Sequence, residues 1–269
     1  MNDDWWRQLA VRPGTKARLR DSDADRTFGW EKARAEQALE KNRKRLEHLQ
    51  YKLYADGRHA LLVVLQGIDG AGKDGTIRHV MTAFNPQGCT VVAFKAPSSE
   101  ELKHDFLWRI HANVPRRGEV GVFNRSHYED VLIVRVDSLV PREVWNARYE
   151  QINAFERHLS ANGTRIVKLF LHISRDEQRE RFEARLRDPH KRWKFDPADI
   201  AKRAQWSEYR EAFETALHRC STAHAPWYLI PSDRKWFRNL AISQILVAEL
   251  ESMRLRFPKA TYDPKKIHL

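Results

Sequence analysis

The feature that most constrains the fold is an apolar run that ends in a cluster of glycines. Residues 60–66 are rich in aliphatic and β-branched side chains, which predicts a buried strand. The mixed apolar and polar residues of 73–84 predict a helix. The glycines between and just after them are Gly67, Gly70, Gly72 and Gly75. A strand, a glycine loop and a helix in this order can aim successive backbone N–H groups into one concavity, which suits an anion.

The spacing within this loop predicts a phosphate-binding loop (P-loop). Gly67 and Gly72 are separated by four residues, and Lys73 follows directly. The helix start and the lysine both add positive charge. Asp69 lies within the loop, and Asp74 occupies the position after the lysine, which is usually Ser or Thr. Two carboxylates beside a polyphosphate are useful when metal ions lie between them. The alternative is a glycine-rich turn without chemical function, which the flanking strand and helix disfavour.

Composition limits the partners more than the fold. The 269 residues suffice for one large α/β domain or for a domain with an inserted lid. The net charge of +12 favours a polyanion, which could be nucleic acid, an acidic membrane or a phosphate chain; a generally basic surface is the alternative. The sequence contains two cysteines, Cys89 and Cys220. So few cysteines favour free thiols in a reducing compartment over a disulfide. The sequence shows no signal peptide and no run of about 20 apolar residues, so we expect a cytoplasmic protein.

Strands and helices alternate along most of the chain. This order predicts an α/β fold whose parallel sheet is covered on both faces, with the site at the carboxyl edge of the strands. The predicted strands are 60–66, 90–95, 119–123, 165–173 and 227–230. The predicted helices are 30–54, 73–84, a capped segment that opens at 97–101, 141–162 and 238–254.

The chain is expected to have a main domain with two flanks. The first 29 residues predict an irregular arm anchored by Trp5, Trp6 and Phe28. The helix that follows carries a leucine stripe, which favours packing on the domain over a contact between subunits. The expected units are 1–55, the arm and helix packed on the core; 56–257, the main domain; and 258–269, a C-terminal tail.

Basic residues at the ends of the predicted strands are candidates for phosphate binding. Arg125 follows the third strand and can bind a phosphate through two N–H groups. Lys95 closes the second strand and is a candidate for the same cavity. His127 is interpreted as a structural residue, because a phosphate acceptor already carries an ionised oxygen and needs no general base.

The segment 175–203, after the fourth strand, is strongly basic. A solvated helix face is the usual interpretation of such a run. Two Asp-Pro breaks, together with Trp193 and Phe195, favour a lid that folds over the site instead. A lid with arginines would exclude water, which competes with the acceptor for the phosphoryl group.

From about residue 53 to 257 the chain resembles the polyphosphate kinase 2 family. The blocks that carry the resemblance are 67–76 (GIDGAGKDGT), 85–88 (NPQG), 104–109 (HDFLWR), 123–130 (FNRSHYED), 188–189 (DP) with 193–195 (WKF), and 233–236 (DRKW). The resemblance implies a P-loop kinase fold of the thymidylate-kinase type, a three-layer α/β/α sandwich with a parallel sheet and a helical lid. It also implies Mg²⁺-dependent phosphoryl transfer between inorganic polyphosphate and nucleotides.

The resemblance further implies roles for individual residues. Asp69 would hold Mg²⁺, or alternatively Mn²⁺, between donor and acceptor. Lys73 and Arg125 would bind the phosphoryl group in transfer, and Arg181 and Arg185 would reach it from the lid. Residues expected at the phosphates or the nucleotide are Gly67, Gly70, Gly72, Lys73, Asp74, Gly75, Thr76, Lys95, Glu129, Lys191, Lys194 and Arg203.

Three positions resemble the third class of the family, whose members accept AMP as well as ADP. Many family members have Gly at the position of Asp74 and Asp at that of Asn124. Here these two residues, together with Glu129, match the third class instead. Asn124 is therefore included among the expected catalytic residues.

The sequence thus predicts a polyphosphate kinase that makes ATP from ADP, and ADP from AMP, reversibly. One rival is an ATP-dependent nucleoside monophosphate kinase on the same scaffold. A rival of another class is a nucleic-acid-binding P-loop ATPase, although no known nucleic-acid module occurs. The expected partners are inorganic polyphosphate, adenine nucleotides with guanine nucleotides as a second option, and further copies of the chain in a dimer or tetramer. Neither nucleic acid nor a membrane is expected.

Overall fold

The computed structural model describes residues 4–263 and 266–267, and within these ranges the strands form a single six-stranded sheet. The strands are β1 (Ala10–Val11), β2 (Ala60–Gln66), β3 (Cys89–Ala93), β4 (Val120–Asn124), β5 (Thr164–His172) and β6 (Trp227–Pro231). They lie in the order β1-β6-β5-β2-β4-β3. The pairing of β1 with β6 is antiparallel, whereas the other neighbours are parallel. The carboxyl ends of β2, β4 and β5 therefore meet at one edge.

Helices cover both faces of this sheet. They are α1 (Lys32–Asp56), α2 (Lys73–His79), α3 (Trp108–His111), α4 (Ile133–Val136), α5 (Arg142–Ala161), α6 (Arg175–Arg187), α7 (Ala198–Ala204), α8 (Trp206–Cys220) and α9 (Lys235–Ser252). Leu61, Val63 and Leu65 of β2 face α1 and α9, whereas Leu62 and Val64 face α5 and α8. Because alternate residues of β2 are buried on opposite faces, its continuous apolar run forms a central strand. The predicted three-layer α/β arrangement is confirmed.

Two predicted helices are shorter than expected. The helix predicted over 73–84 ends at His79, and a separate 3₁₀ helix, Met81–Ala83, follows. Between them Val80 has φ −113° and ψ −51°, away from α-helical values, so the prediction of one continuous helix was wrong.

The predicted capping pattern after position 97 is present, but the helix after it is short. The Ser98 amide donates to Glu101 Oε2 at 2.6 Å, and the Glu101 amide donates to Ser98 Oγ at 3.3 Å. Only one 3₁₀ turn, Glu101–Lys103, follows, because His104 is extended.

The N-terminal arm is more regular than predicted. Residues Trp5–Leu9 form a 3₁₀ helix that leads into β1. Trp5 is buried, with its ring centroid 5.3 Å from that of Phe237 and 5.8 Å from that of Phe28. The aromatic anchors are thus confirmed, whereas the irregular conformation was wrong for residues 5–11.

The remaining flanks are described only in part. Helix α1 packs on α9, with Leu46 and Leu53 in a shared core. Residues 1–3 of the predicted arm, and positions 264–265 and 268–269 of the predicted tail, lie outside the described residues. Cys89 and Cys220 are free thiols. In the part of the chain that is described, no helix has the length and apolar character needed to span a membrane.

Candidate active site

The glycine loop requires glycine where the chain passes close to other groups. Gly67 leaves β2 with φ +156°, and a Cβ there would lie 2.8 Å from the carbonyl oxygen of Leu171 in the neighbouring strand β5. Gly72 has φ +106°, in the left-handed region that favours glycine. A side chain at either position would displace the loop.

Lys73 begins α2 and folds back over the loop. Its Nζ donates to the carbonyl oxygen of Gly67 at 2.6 Å and to that of Ile68 at 3.4 Å, and lies 3.9 Å from Asp69 Oδ1. The side chain is buried. Burial lowers the pKa of the ammonium group, although the Asp69 carboxylate partly opposes this shift. The Lys73 side chain, which is predicted to bind phosphate, is thus enclosed by the glycine loop.

Arg125 lies between two carboxylates at the end of β4. Its Nη2 donates to Asp69 Oδ1 at 2.6 Å, and its Nη1 donates to Glu129 Oε2 at 3.5 Å. Burial alone would lower the pKa of the guanidinium, but Glu129 and Asp69 outweigh it and the net shift is upward. Burial would likewise raise the pKa of Asp69, but Lys73 and Arg125 lower it overall. Two cations and two carboxylates therefore balance one another here.

Asp74 and Asn124 form a second contact between the loop and β4. Asn124 Nδ2 donates to Asp74 Oδ1 at 2.9 Å. The Asp74 side chain is exposed, so its second oxygen is open to a ligand or solvent. Asp74 and Asn124, the two positions that differ from the pattern described for many family members, are therefore hydrogen-bonded to each other. This pairing could not be read from positions 50 residues apart in sequence.

Arg181 contacts the loop from α6. It donates to the carbonyl oxygens of Gly70, Ala71, Ser232 and Asp233 at 2.6 to 3.2 Å, and to Glu177 Oε1 at 2.7 Å. The side chain is buried, so in this conformation it supports the loop. Its predicted contact with the transferred phosphate stays a prediction.

Of the other predicted lid cations, Arg203 lines a cavity beside Asp69 and Arg125, whereas Arg185, Lys191 and Lys194 do not. Each has a neighbour of its own. Arg185 lies over the ring of Phe182, Lys191 pairs with Asp188, Lys194 lies over Trp193, and Arg203 donates to the carbonyl oxygen of Arg175 and to Gln178 Oε1. Lys95 is exposed beyond the end of β3. Their phosphate contacts also stay predictions.

A cavity opens beside Asp69, Arg125 and Glu129. Its wall includes residues that sequence reasoning missed, which are Gln178, Asp199, Lys202, Leu132, Trp206, Tyr209 and Phe213. Trp206, Tyr209 and Phe213 occur at intervals of three and four in α8, so they share one helix face. That spacing was the available signal. The cavity combines a charged end with an aromatic wall.

The donor atoms beside the cavity suit a hard divalent cation. Asp69 and Glu129 contribute carboxylate oxygens, the ligand type that Mg²⁺ prefers. Mg²⁺ in phosphate-transfer sites commonly takes one or two protein carboxylates, with phosphate and water oxygens as its other ligands. No group of three or more His, Cys, Asp or Glu residues suited to a metal occurs in the described part of the chain. The residues present fit a metal shared with bound phosphates.

Comparisons with known proteins agree on the relatives of this chain. The family described as Polyphosphate kinase 2 (PPK2) matches residues 29–258. An AMP/ADP-polyphosphate phosphotransferase of Meiothermus ruber is 49% identical over 263 residues, covering 97% of this chain and 98% of that protein. An ADP-polyphosphate phosphotransferase of Rhodopseudomonas palustris is 49% identical over 229 residues, covering 81% and 79%. The crystal structure of a polyphosphate kinase 2 from Arthrobacter aurescens TC1 has a TM-score of 0.91 at 44% identity, covering 95% of this chain and 92% of that one.

Proposed function

The chain belongs to the polyphosphate kinase 2 family, and we propose that it transfers the terminal phosphoryl group of inorganic polyphosphate to ADP, giving ATP, and to AMP, giving ADP. The reaction is reversible. The observation that carries the proposal is the clustering of Lys73, Arg125 and the glycine loop at the carboxyl edge of a parallel sheet. Relatives at 49% identity are named as phosphotransferases for these substrates.

The chemistry requires positioning and positive charge. A terminal phosphate oxygen of the nucleotide attacks the end phosphorus of the polyphosphate chain, and the bond to the bridging oxygen breaks, so that a shorter chain leaves. Lys73, Arg125 and the loop amides would stabilise the charge on the phosphoryl oxygens and hold them in line. The attacking oxygen is already ionised near neutral pH, so no general base is required. His127, fully buried beside Glu156, is accordingly outside this chemistry.

We assign the metal to Asp69. Bound Mg²⁺, or Mn²⁺, would neutralise phosphate oxygens of donor and acceptor. Asp69 suits this role because its carboxylate borders the cavity and its lowered pKa keeps it ionised. Glu129, on the same cavity, would face the nucleotide phosphates.

The proposal also covers the nucleotide that accepts the phosphoryl group and the oligomeric state of the protein. The aromatic wall of Trp206, Tyr209 and Phe213 offers an apolar surface for the nucleoside. Adenine nucleotides are the main acceptors, guanine nucleotides are secondary ones, and the chain forms a homo-oligomer. Size-exclusion chromatography with light scattering measures the oligomeric state, and a monomer would contradict the proposed homo-oligomer.

A product survey tests the function. The full chain is incubated with Mg²⁺ and polyphosphate and with AMP, ADP, GMP or GDP, without ATP, and the nucleotides are separated by anion-exchange chromatography. We expect ADP from AMP and ATP from ADP. No product from either adenine nucleotide would contradict the proposal. In a parallel incubation without polyphosphate, phosphorylation of AMP by ATP, together with no product from polyphosphate, would favour a nucleoside monophosphate kinase. Binding of duplex DNA without any nucleotide product would favour a nucleic-acid-binding ATPase.

A further inference from the structure

Arg238 is a buried cation whose acceptors among the described residues are all neutral. It lies in the first turn of α9 and is 2% exposed. Its Nε and Nη2 donate to Asn239 Oδ1 at 3.2 and 2.9 Å, and its Nη1 donates to the carbonyl oxygen of Ala71 at 3.4 Å. Within residues 4–263, no carboxylate forms a salt bridge with it. No sequence pattern singles out this arginine, because its surroundings are formed by segments remote in sequence.

The guanidinium of Arg238 packs directly against the glycine loop. A Cβ on Gly72 would overlap Nη1 and would lie 2.9 Å from Cζ. A Cβ on Gly75 would lie 3.0 Å from Nη2. These two glycines flank Lys73 and Asp74, so Arg238 occupies the space that their missing side chains leave. Its charge is thus held against the part of the loop that leads into α2.

The groups around Arg238 do not neutralise its charge. Arg181, also cationic, shares the carbonyl oxygen of Ala71 with it. Glu177 accepts a hydrogen bond from Arg181 Nε at 2.7 Å, and Asp233 accepts one from the Ser174 amide at 2.9 Å. Burial and the nearby Arg181 lower the pKa of Arg238 to about 9, so it remains charged at neutral pH.

A buried charge without a counter-ion is unfavourable, and the helix position increases the cost. A buried cation normally acquires a paired carboxylate. A cation in the first turn of a helix also opposes the positive end of the helix dipole. The ligand-free protein therefore carries excess positive charge behind its loop, which an anion bound at that loop would offset.

We propose that Arg238 sets the affinity of the glycine loop for oligophosphate ligands. Its charge acts through the thin, side-chain-free backbone at Gly72 and Gly75 on the phosphates that the loop binds. Arg238 does not touch the reacting atoms; it is a positioning residue that supplies charge from behind the loop. This inference rests on the proposed phosphate binding at the loop.

The test compares variants of the full chain. Arg238→Met and Arg238→Gln remove the charge, and Arg238→Lys retains it. Arg165→Met is the matched control, because Arg165 lies at the opposite end of β5 and pairs with Glu249 at 3.3 Å. The Kd for inorganic tripolyphosphate is measured by calorimetry, and the midpoint of thermal unfolding is measured without ligand.

We expect Arg238→Met and Arg238→Gln to raise the Kd roughly tenfold. Arg238→Lys should raise it less, and Arg165→Met should not change it. The ligand-free midpoint of Arg238→Met should stay equal or rise, since an unpaired buried charge is removed. An unchanged Kd, with or without a lower midpoint, would show that Arg238 is only structural and would overturn the inference.

Two further outcomes are distinguishable. If Arg238→Met does not fold, the difference in Kd between Arg238→Gln and Arg238→Lys decides the question, because both variants keep N–H donors and only Lys keeps the charge. If the unaltered protein binds no tripolyphosphate, the proposed function of the loop fails as well. Binding by the unaltered protein with equal Kd values for Gln and Lys overturns the role of Arg238 alone.

Discussion

Arg125 combines an unfavourable backbone conformation with a fixed side chain. Its φ of +63° lies in the left-handed region, which costs a non-glycine residue about 1 kcal/mol. Its amide donates to the carbonyl oxygen of Leu65, at 3.0 Å, and this bond holds the turn after β4 against β2. The guanidinium is thereby placed between Asp69 and Glu129. A phosphate bound at Arg125 would compete with both carboxylates for its N–H groups, so we expect the site to favour highly charged anions.

Removing the loop lysine should slow the reaction strongly and leave the fold intact. Lys73→Met keeps the aliphatic stem, and Asp69 retains its ion pair with Arg125, so we expect the midpoint of thermal unfolding to change little. We expect the rate of ADP formation from AMP and polyphosphate to fall by about 10²- to 10³-fold, the usual cost of losing one charge-stabilising donor. Lys41→Met, on the exposed side of α1, is the control. Activity similar to that of this control would remove Lys73 from the catalytic cluster.

The pair formed by Asp74 and Asn124 should affect the choice of acceptor. Asp74→Gly removes an exposed carboxylate and the partner of Asn124 Nδ2. We expect kcat/KM for AMP to fall more than kcat/KM for ADP. Asn124→Ala breaks the same hydrogen bond and keeps the carboxylate, so it separates the effect of the contact from that of the charge. An unchanged ratio of AMP to ADP use in Asp74→Gly would exclude the residue from acceptor selection.

At the scale of elements, a buried polar network joins β5, α5 and the turn after β4. Lys168 Nζ donates to Glu156 Oε2 at 2.6 Å, to the hydroxyl of Tyr128 at 2.8 Å and to the carbonyl oxygen of Cys220 at 2.6 Å. His127 Nε2 lies 3.1 Å from Glu156 Oε1. All four side chains of the network are fully buried. It therefore holds the turn that presents Arg125 and Glu129.

Removing either member of the ion pair between Lys168 and Glu156 should lower the free energy of unfolding. Lys168→Met leaves the Glu156 carboxylate buried without its cation, and Glu156→Leu leaves the ammonium without its carboxylate. We expect each to lower the free energy of unfolding by about 3–5 kcal/mol, measured in urea. The double variant leaves neither charge and should lose less than the sum of the two. Additive losses would contradict direct coupling between the residues.

Acid should weaken the same network. Burial raises the pKa of Glu156, but Lys168 and His127 outweigh it and lower the pKa below the ordinary value of 4.5. Its contribution is therefore present above pH 4.5 and is lost as the pH falls through the folded-state pKa. Urea unfolding between pH 3 and 7, roughly the range of carboxyl titration, should show a stability difference between the unaltered protein and Glu156→Leu that shrinks at low pH. A difference independent of pH would contradict this account.

Much of the architecture could be predicted because its signals are local. The strands β2 and β5 are continuous apolar runs, and their bounds match the prediction within a residue. The break at Val80 and the two-residue strand β1 were missed, because tertiary contacts decide them. Asp69, Lys73 and Arg125 could be grouped because parallel strands bring their carboxyl ends together. The placement of Arg181 and Arg238 behind the loop depends on the packing of remote helices, which no local pattern encodes.

At the scale of the molecule, the charge of +12 should govern binding of the longer substrate. A long polyphosphate chain covers more basic side chains than a short one and displaces more counterions. We expect the KM for long-chain polyphosphate to rise more steeply with NaCl concentration than the KM for tripolyphosphate. Steady-state rates at several salt concentrations measure both slopes. Equal slopes would show that the chain end alone is recognised.

The antiparallel strand at one sheet edge has a consequence for biosynthesis. Ala10 and Val11 pair with Tyr228 and Trp227, near opposite ends of the described chain. The strand β1 therefore leaves the ribosome long before its partner exists. Pairing segments so distant in sequence requires closure of a long loop, which is slow. The parallel core from β2 to β5 can assemble earlier, so we expect this edge to close late in folding. A nascent chain stalled before β6 would still have an unpaired N-terminal arm.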